Sequence, residues 1–338
     1  HCWWCGEGHV GRIRATKMAD HHDGDSASAD DGIQQAENMS EAGREKSWDD
    51  RRVMRAVTGL VKLARPRQWI NNGLVLAPLV FAGAFTHQQA IRNALFAMLL
   101  FCVASSAVYV VNDIADRKRD RLHPGKNRSR PLASGAVSLH AAVVLLAALY
   151  VILFVGWFSQ PAVVLVIGGY LALNLAYSFW LKHQPVLDIF CIAFGFVLRV
   201  YAGAQAIAVP MSTWMFITTL CLALYLAAVK RRQELTKSGD EAREVLQRYT
   251  VSLMDRYAEM SATGALVFYS LFVMSARPEL AVTLPLVLFG LFRYWYVVEK
   301  LDGGESPTDA LLSDAQLLLT VAGWVGLCLW VLWPNAGG

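Results

Sequence analysis

The chain has 338 residues, 55% of them hydrophobic and only 17% charged. A mean hydropathy of +0.36 is too high for a soluble domain of average composition, so a membrane protein is the first reading. The net charge of +4 is small and its positive residues are bunched, so no nucleic-acid partner is expected.

At the N-terminus, Cys2 and Cys5 form a CxxC beside His1 and His9. That is half of a zinc pattern without a second half, and metal binding there is not expected. Cys102, Cys191, Cys221 and Cys328 each lie within an apolar run and read as packing residues. Met18, Met39 and Met54 are candidate starts, which would make the first segment a non-native remnant. Residues 20 to 50 are polar and acidic with no apolar periodicity, the composition of a disordered tail. The expected division is a disordered tail over 1–55 and a membrane domain over 60–335.

Nine apolar segments follow, near 69–86, 90–112, 138–158, 161–181, 185–207, 212–230, 257–276, 280–298 and 313–333. Each has about the length that crosses a bilayer core as helix. The fold predicted is therefore all-α and polytopic, with nine transmembrane helices. Lys and Arg set the orientation. They crowd the segment before the first span, the link after the second and the link after the sixth, while the opposite links hold little beyond Arg92 and Arg277. The N-terminus and the charged links are expected to be cytoplasmic, in a multi-pass plasma-membrane protein.

The second span runs SSAVYVV and then NDIADRKRD, residues 112–120. Continued as helix, Asn112, Asp113, Asp116 and Asp120 fall within about 100° of one another. Carboxylates on one face repel and need a cation among them. Mg²⁺ suits the site because it takes oxygen ligands and bridges carboxylates to phosphates. The bland alternative is a solvated helix end whose aspartates pair with Arg117, Lys118 and Arg119. Tyr109, within SSAVYVV, is counted with the candidate substrate contacts.

The link continues RLHPGKNRSRPLASG. Pro124 and Gly125 make a turn carrying Lys126, Arg128 and Arg130, which can fold over phosphates; a positive-inside link needs such residues anyway. YSFWLKHQPVLDIF then sets Tyr177, Lys182 and His183 at one helix end and Asp188 at the next start, with Pro185 breaking the chain between them. Irregular backbone at that depth is tolerated only where it is buried or lines a cavity. Arg199 lies roughly 16 Å further along the same helix. A buried arginine calls for an anion or a carboxylate, so a ligand contact and a structural ion pair stay equally open. AVKRRQEL supplies Lys230, Arg231 and Glu234, and LARPRQWINNGLVLAP supplies Arg65, Gln68, Trp69 and Asn72.

Together, the nine spans, the NDxxDxxxD motif and the HP…RPLASG loop resemble the UbiA superfamily of intramembrane prenyltransferases, from about residue 60 to the C-terminus. RPRQW, LKHQPVLD, FVLRVYAGA and AVKRRQEL are most similar to its decaprenyl-phosphate phosphoribosyltransferase branch. Asn71 stands where that branch carries lysine, and the HPGKNRSRP loop is one residue longer. The resemblance implies nine helices around a cytoplasm-facing cavity and Mg²⁺-dependent transfer of 5-phosphoribose from phosphoribosyl pyrophosphate to a polyprenyl phosphate, a step towards cell-wall arabinan. It implies a metal held by Asn112, Asp113, Asp116 and Asp120, catalytic roles for Asp113, Asp116, Lys182 and Asp188, and phosphate or substrate contacts among the cationic and polar residues named above. Prenyl transfer to an aromatic acceptor is the runner-up. An ion-coupled transporter is the remote alternative, disfavoured because no repeated half is evident.

Overall fold

The computed structural model describes residues 54, 57–122, 129–237, 248–300 and 307–333. The CxxC and nearly all of the expected acidic tail lie outside these ranges, as do Lys126 and Arg128. The architecture below concerns the unit from Ala56 to Gly338. Its described residues are helical throughout, without strand.

A short helix, α1 (57–64), leads into a 3-10 segment, Pro66–Leu76, a five-residue helix α2 (Ala77–Phe81) and a second 3-10 turn, Ala84–Thr86. Then come α3 (Gln88–Ala115), α4 (Arg117–Leu122), α5 (Leu139–Trp157), α6 (Pro161–Phe179), α7 (Leu187–Ala206) and α8 (Thr213–Lys237). The chain closes with α9 (Val251–Ala276), a 3-10 turn at Pro278–Thr283, α10 (Leu284–Lys300), α11 (Pro307–Ser313) and α12 (Ala315–Leu332). Eight helical stretches among the described residues have the length and apolarity to cross a bilayer.

The first of the nine expected spans, 69–86, is not one continuous helix. It is broken, and its sequence explains why. Pro66 opens it, Asn71, Asn72 and Gly73 interrupt its apolar run, Pro78 removes a backbone donor and Gly83 takes a φ of 71°. None of these favours a continuous α-helix. The segment is instead held by its neighbours, lying against α3 and α7. Gly203 of α7 makes that approach feasible: a Cβ there would sit 1.9 Å from the Val75 carbonyl oxygen.

The local starts are legible in side-chain caps. Ser138, Thr250 and Asp314 accept the amides of Ala141, Leu253 and Leu317 at the beginnings of α5, α9 and α12, and Pro161 occupies the first turn of α6. Burial then sorts the helices. In their most apolar stretches α3 and α7 are 56% buried, against 22% for α5, α6 and α12. α3 and α7 thus form the interior, while the valines and phenylalanines of α5, such as Val144 and Phe154, stay exposed as a lipid-facing surface. α6 lies against α7, α7 against α8 and α8 along α9. The C-terminus of α3, the N-terminus of α7 and the C-terminus of α8 therefore share one end of the bundle, where every charged cluster of interest lies.

Candidate active site

The first centre is built where α3 ends. Asp113 is buried and takes two arginines on one oxygen: Arg65 Nη2 at 2.8 Å and Arg130 Nη1 at 3.1 Å. The same Arg130 nitrogen lies 2.6 Å from Asp120 Oδ2. Sequence angles placed these carboxylates on one continuous helix; α3 instead stops at Ala115, with Asp116 as its C-cap and Asp120 on α4. Asp113 and Asp120 still converge, because the break is short. The cations between them are Arg65 and Arg130, not the adjacent Arg117, Lys118 and Arg119 of the bland reading.

Asp116 is half-buried and has no ion pair among the described residues. Asn112 accepts the Ser178 hydroxyl at 2.8 Å. Tyr109, one turn before Asp113, lies under the Arg65 guanidinium, 4.6 Å from ring centroid to carbon. Arg65 reaches this position from a left-handed backbone, φ 52°, an uncommon conformation for a residue with a Cβ. Trp69 follows with a hydrogen bond to Ser106, whose own hydroxyl donates to the Ala64 carbonyl. Gln68 accepts from Asn71.

The fit of a metal to this centre is specific. Its donors are hard oxygens, as magnesium requires. No three acidic, histidine or cysteine side chains converge among the described residues to cage an ion. The donor set therefore suits a cation held by one or two carboxylates that takes its other ligands from phosphate and water.

The second centre forms where α7 begins. Asp188 is fully buried; Arg231 Nε donates to its Oδ2 at 2.9 Å and Tyr249 Oη to its Oδ1 at 2.6 Å. Arg231 is itself buried and also donates to Tyr177 Oη at 2.9 Å and to Glu234. Both oxygens of Asp188 are thus engaged, and it reaches a ligand only by giving up a partner. Burial, and next the hydrogen bond to the Asp188 carboxylate, pushes the Tyr249 hydroxyl well above the ordinary phenol range. Lys182, in the turn between α6 and α7, is half-buried and has no ion pair among the described residues. Lys230 stands half-buried beside Arg231. Arg232 points elsewhere, to Asp255 and Glu299.

The two centres meet at the end of α6. Tyr177 accepts from Arg231, and its neighbour Ser178 donates to Asn112. Asn112, Tyr177, Arg231 and Asp188 are thereby joined, through Ser178, into one polar end of the bundle.

Arg199 lies deeper, and the expected anion or carboxylate is not what holds it. Its Nε donates to Asn72 Oδ1 at 2.8 Å, and its other nitrogens to the Gly195 carbonyl and Tyr170 Oη. The rings of Tyr170, Phe196 and Phe101 lie 4.9, 5.1 and 5.8 Å away. A delocalised guanidinium is stabilised by aromatic faces and neutral oxygens where a compact ammonium would not be. Asn72 in turn donates to Ser105 at 3.1 Å, so Arg199 and Asn72 clip the Pro66–Leu76 segment between α3 and α7.

Tyr249, Tyr170, Ser178 and Ser105 were not singled out from sequence. The first sits alone before an apolar run, and the others are single polar groups inside apolar runs, where only a partner reveals a role. A cavity of about 290 Å³, lined by Pro78, Met211, Met215 and Arg277 among others, opens at the opposite end of the bundle and is remote from both centres.

Residues 74–313 match the profile of the UbiA prenyltransferase family. The chain belongs to this family. The decaprenyl-phosphate phosphoribosyltransferase of Mycolicibacterium smegmatis is 35% identical to it over 291 residues, covering 80% of this chain and 91% of that protein. The enzyme of the same name from Mycobacterium tuberculosis strain H37Rv is 34% identical over 281 residues, covering 80% and 92%. Among solved structures, a UbiA homolog from Archaeoglobus fulgidus bound to DMAPP and Mg²⁺ overlays with a TM-score of 0.61 at 21% identity, covering 81% of this chain and 99% of that one. The overlay establishes the all-helical fold; the family match and the eight membrane-length helices among the described residues fit a multi-pass membrane protein.

Proposed function

We propose that this UbiA-family protein transfers 5-phosphoribose from phosphoribosyl pyrophosphate to a polyprenyl phosphate, releasing pyrophosphate. The observation that carries the reading is the identity of 34–35% with decaprenyl-phosphate phosphoribosyltransferases over nearly their whole length. The site is compatible in charge: it offers one acidic cluster with interleaved arginines, then a mainly cationic second region, as two phosphate-bearing substrates require. The concentration of Lys and Arg at this end supports a cytoplasm-facing site.

In this reading Asp113 and Asp116 hold Mg²⁺, with Asn112 and Asp120 in support. When bound, the ion stabilises negative charge on the departing pyrophosphate. Arg65 and Arg130, which now share Asp113, turn part of their hydrogen bonding to the phosphates. Lys182 neutralises a further phosphate, and Lys126 and Arg128 contribute from the same link as Arg130. The acceptor phosphate is already ionised at neutral pH, so no general base is needed. Its oxygen attacks C1 of the ribose as the C1–O bond to pyrophosphate breaks, with the ring oxygen sharing the positive charge. Attack opposite the leaving group inverts C1. The isoprenoid tail lies among the lipid-facing helices, and the product is a precursor for cell-wall arabinan.

The deciding experiment supplies the purified protein with Mg²⁺, labelled phosphoribosyl pyrophosphate and decaprenyl phosphate. A labelled, lipid-extractable product is expected, and its loss on chelation gives the metal dependence. Prenyl transfer from a prenyl diphosphate to an aromatic acid, with no phosphoribosyl product, would overturn the proposal.

A further inference from the structure

Val186 has φ 70° and ψ −47°, near the γ-turn of positive φ, a region that a β-branched residue enters only under constraint. Its side chain is 38% exposed, so packing around the valine does not impose this backbone. The constraint comes through its amide, which donates to Tyr249 Oη. That hydroxyl donates in turn to Asp188 Oδ1, and Arg231 fixes the other Asp188 oxygen. One buried phenol thus ties the residue before α7 and the second residue within it to the chain just ahead of α9.

Pro185 has no amide proton to give. The backbone around it is held by the Asp188 amide on the Gln184 carbonyl at 3.2 Å and the Phe190 amide on the Val186 carbonyl at 3.1 Å, and neither bond fixes the Val186 amide. Three residues before Pro185 stands Lys182. It follows Tyr177 and Ser178, which touch the two acidic centres, and its charge has no ion pair among the described residues. Lys182 sits in the 3-10 turn Leu181–His183, which runs through Gln184 and Pro185 directly into Val186, so a change of backbone at Val186 is passed back along this short link.

We propose that Tyr249 is a positioning residue: its hydroxyl holds Val186 in the strained turn, and that turn presents Lys182 to the phosphates of the sugar donor. The inference rests on the proposed phosphoribosyl transfer. Without the hydroxyl, Val186 relaxes to negative φ, the peptide planes on either side rotate, and Lys182 is displaced. Tyr249 touches no substrate in this account; its hydroxyl also serves Asp188, a bond that glycine at 186 does not restore, so recovery in the double variant reads the turn alone.

The test compares full-length wild type, Tyr249→Phe and Tyr249→Phe/Val186→Gly in detergent or nanodiscs. The phenylalanine keeps the buried ring and deletes only the hydroxyl. Its expected effect is a rise of about tenfold in KM for phosphoribosyl pyrophosphate with kcat within about threefold of wild type. Glycine occupies positive φ without a Cβ clash, so the double variant should recover most of the lost KM. A purely structural role predicts the reverse, since a second, flexible substitution compounds a loss of stability. An unchanged KM in Tyr249→Phe, or a raised KM that glycine does not reverse, overturns the inference.

Amide exchange provides a reading independent of substrate. The Val186 amide should exchange about tenfold or more faster in Tyr249→Phe, and an unchanged rate overturns the inference whatever the enzyme acts on. Faster exchange in a protein whose wild type cannot use phosphoribosyl pyrophosphate would support the restraint and overturn the proposed function instead.

Discussion

Arg65 and Asp113 are 48 residues apart in sequence and 2.8 Å apart in the structure. The pair joins the broken first segment to the end of α3, and Arg130 reaches the same carboxylate oxygen from the following link. Asp113 is thereby the common anchor of two cations and the leading candidate to hold a third. Asp113→Asn keeps the side-chain shape but removes the charge. Transfer should fall by about 100-fold or more, in line with the loss of an electrostatic group that acts on the leaving group. Rates measured across a magnesium titration check this. Turnover within threefold of wild type would remove Asp113 from the metal and phosphate site.

The extent to which this arrangement was legible in sequence follows from the reach of each signal. Long apolar runs between charged links specify membrane helices locally, which is why α3 and α5 to α10 fall close to their expected ranges. The convergence of Asp113 and Asp120 was also readable, since it needs only helical repeat and a short break. The partners were not. Arg65, Arg199 and Tyr249 find Asp113, Asn72 and Asp188 across 48, 127 and 61 residues, and no local pattern encodes a choice among the many arginines and tyrosines available. The break in the first span was hidden for a related reason: its hydrophobicity is sufficient, but Asn72 is spent on Ser105 and Arg199, contacts made in a segment that is not a regular helix.

Asp188 and Arg231 form an ion pair with both side chains almost free of solvent. Removing Arg231 leaves the Asp188 charge buried and uncompensated, at a cost of about 3–5 kcal/mol, whereas Arg231 without Asp188 keeps Glu234. Arg231→Met should therefore lower the melting temperature sharply, and Asp188→Asn less so. The double variant Asp188→Leu/Arg231→Met should be less destabilised than the two single losses added together. By contrast Arg232 and Asp255 keep partial exposure, and Asp255→Asn should cost only about 0.5–1 kcal/mol. Thermal unfolding in detergent measures all of these, and a single Arg231 variant as stable as the Asp255 variant would contradict the buried-pair account.

Gly203 tests the packing that places Arg65 and Asn72. A Cβ at this position meets the Val75 carbonyl oxygen at 1.9 Å and its carbon at 2.8 Å. Backbone atoms cannot swing aside as a side-chain end can, so Gly203→Ala must push the Pro66–Leu76 segment off α7. A loss of about 1–3 kcal/mol is expected from overpacking, together with a fall in transfer rate because Arg65 caps the displaced segment. Gly169 in α6 is the control, having nothing within 4 Å of an added Cβ. Gly169→Ala should be neutral or stabilising by up to about 1 kcal/mol. Equal behaviour of the two variants would show that the close approach at Val75 is not required.

Asp314 makes the stability of the C-terminal helix depend on pH. Arg293 donates to both of its oxygens, at 3.1 and 2.7 Å, and the Leu317 amide donates to Oδ1 at 2.7 Å as the cap of α12. The hydrogen bonds from Arg293, the largest influence, hold its carboxyl below the usual aspartate range. A group depressed in the folded state stabilises the fold above its unfolded pKa, about 3.9, and loses that contribution as pH falls through the lower folded value. Asp314→Asn can still cap the helix but cannot pair with the guanidinium. Wild type should therefore melt above Asp314→Asn at neutral pH, with the gap steady down to about pH 5 and closing as the solution is acidified below pH 4. Melting curves of both proteins over that range read the difference directly. A gap that widens on acidification would mean that the carboxylate is destabilising where it stands.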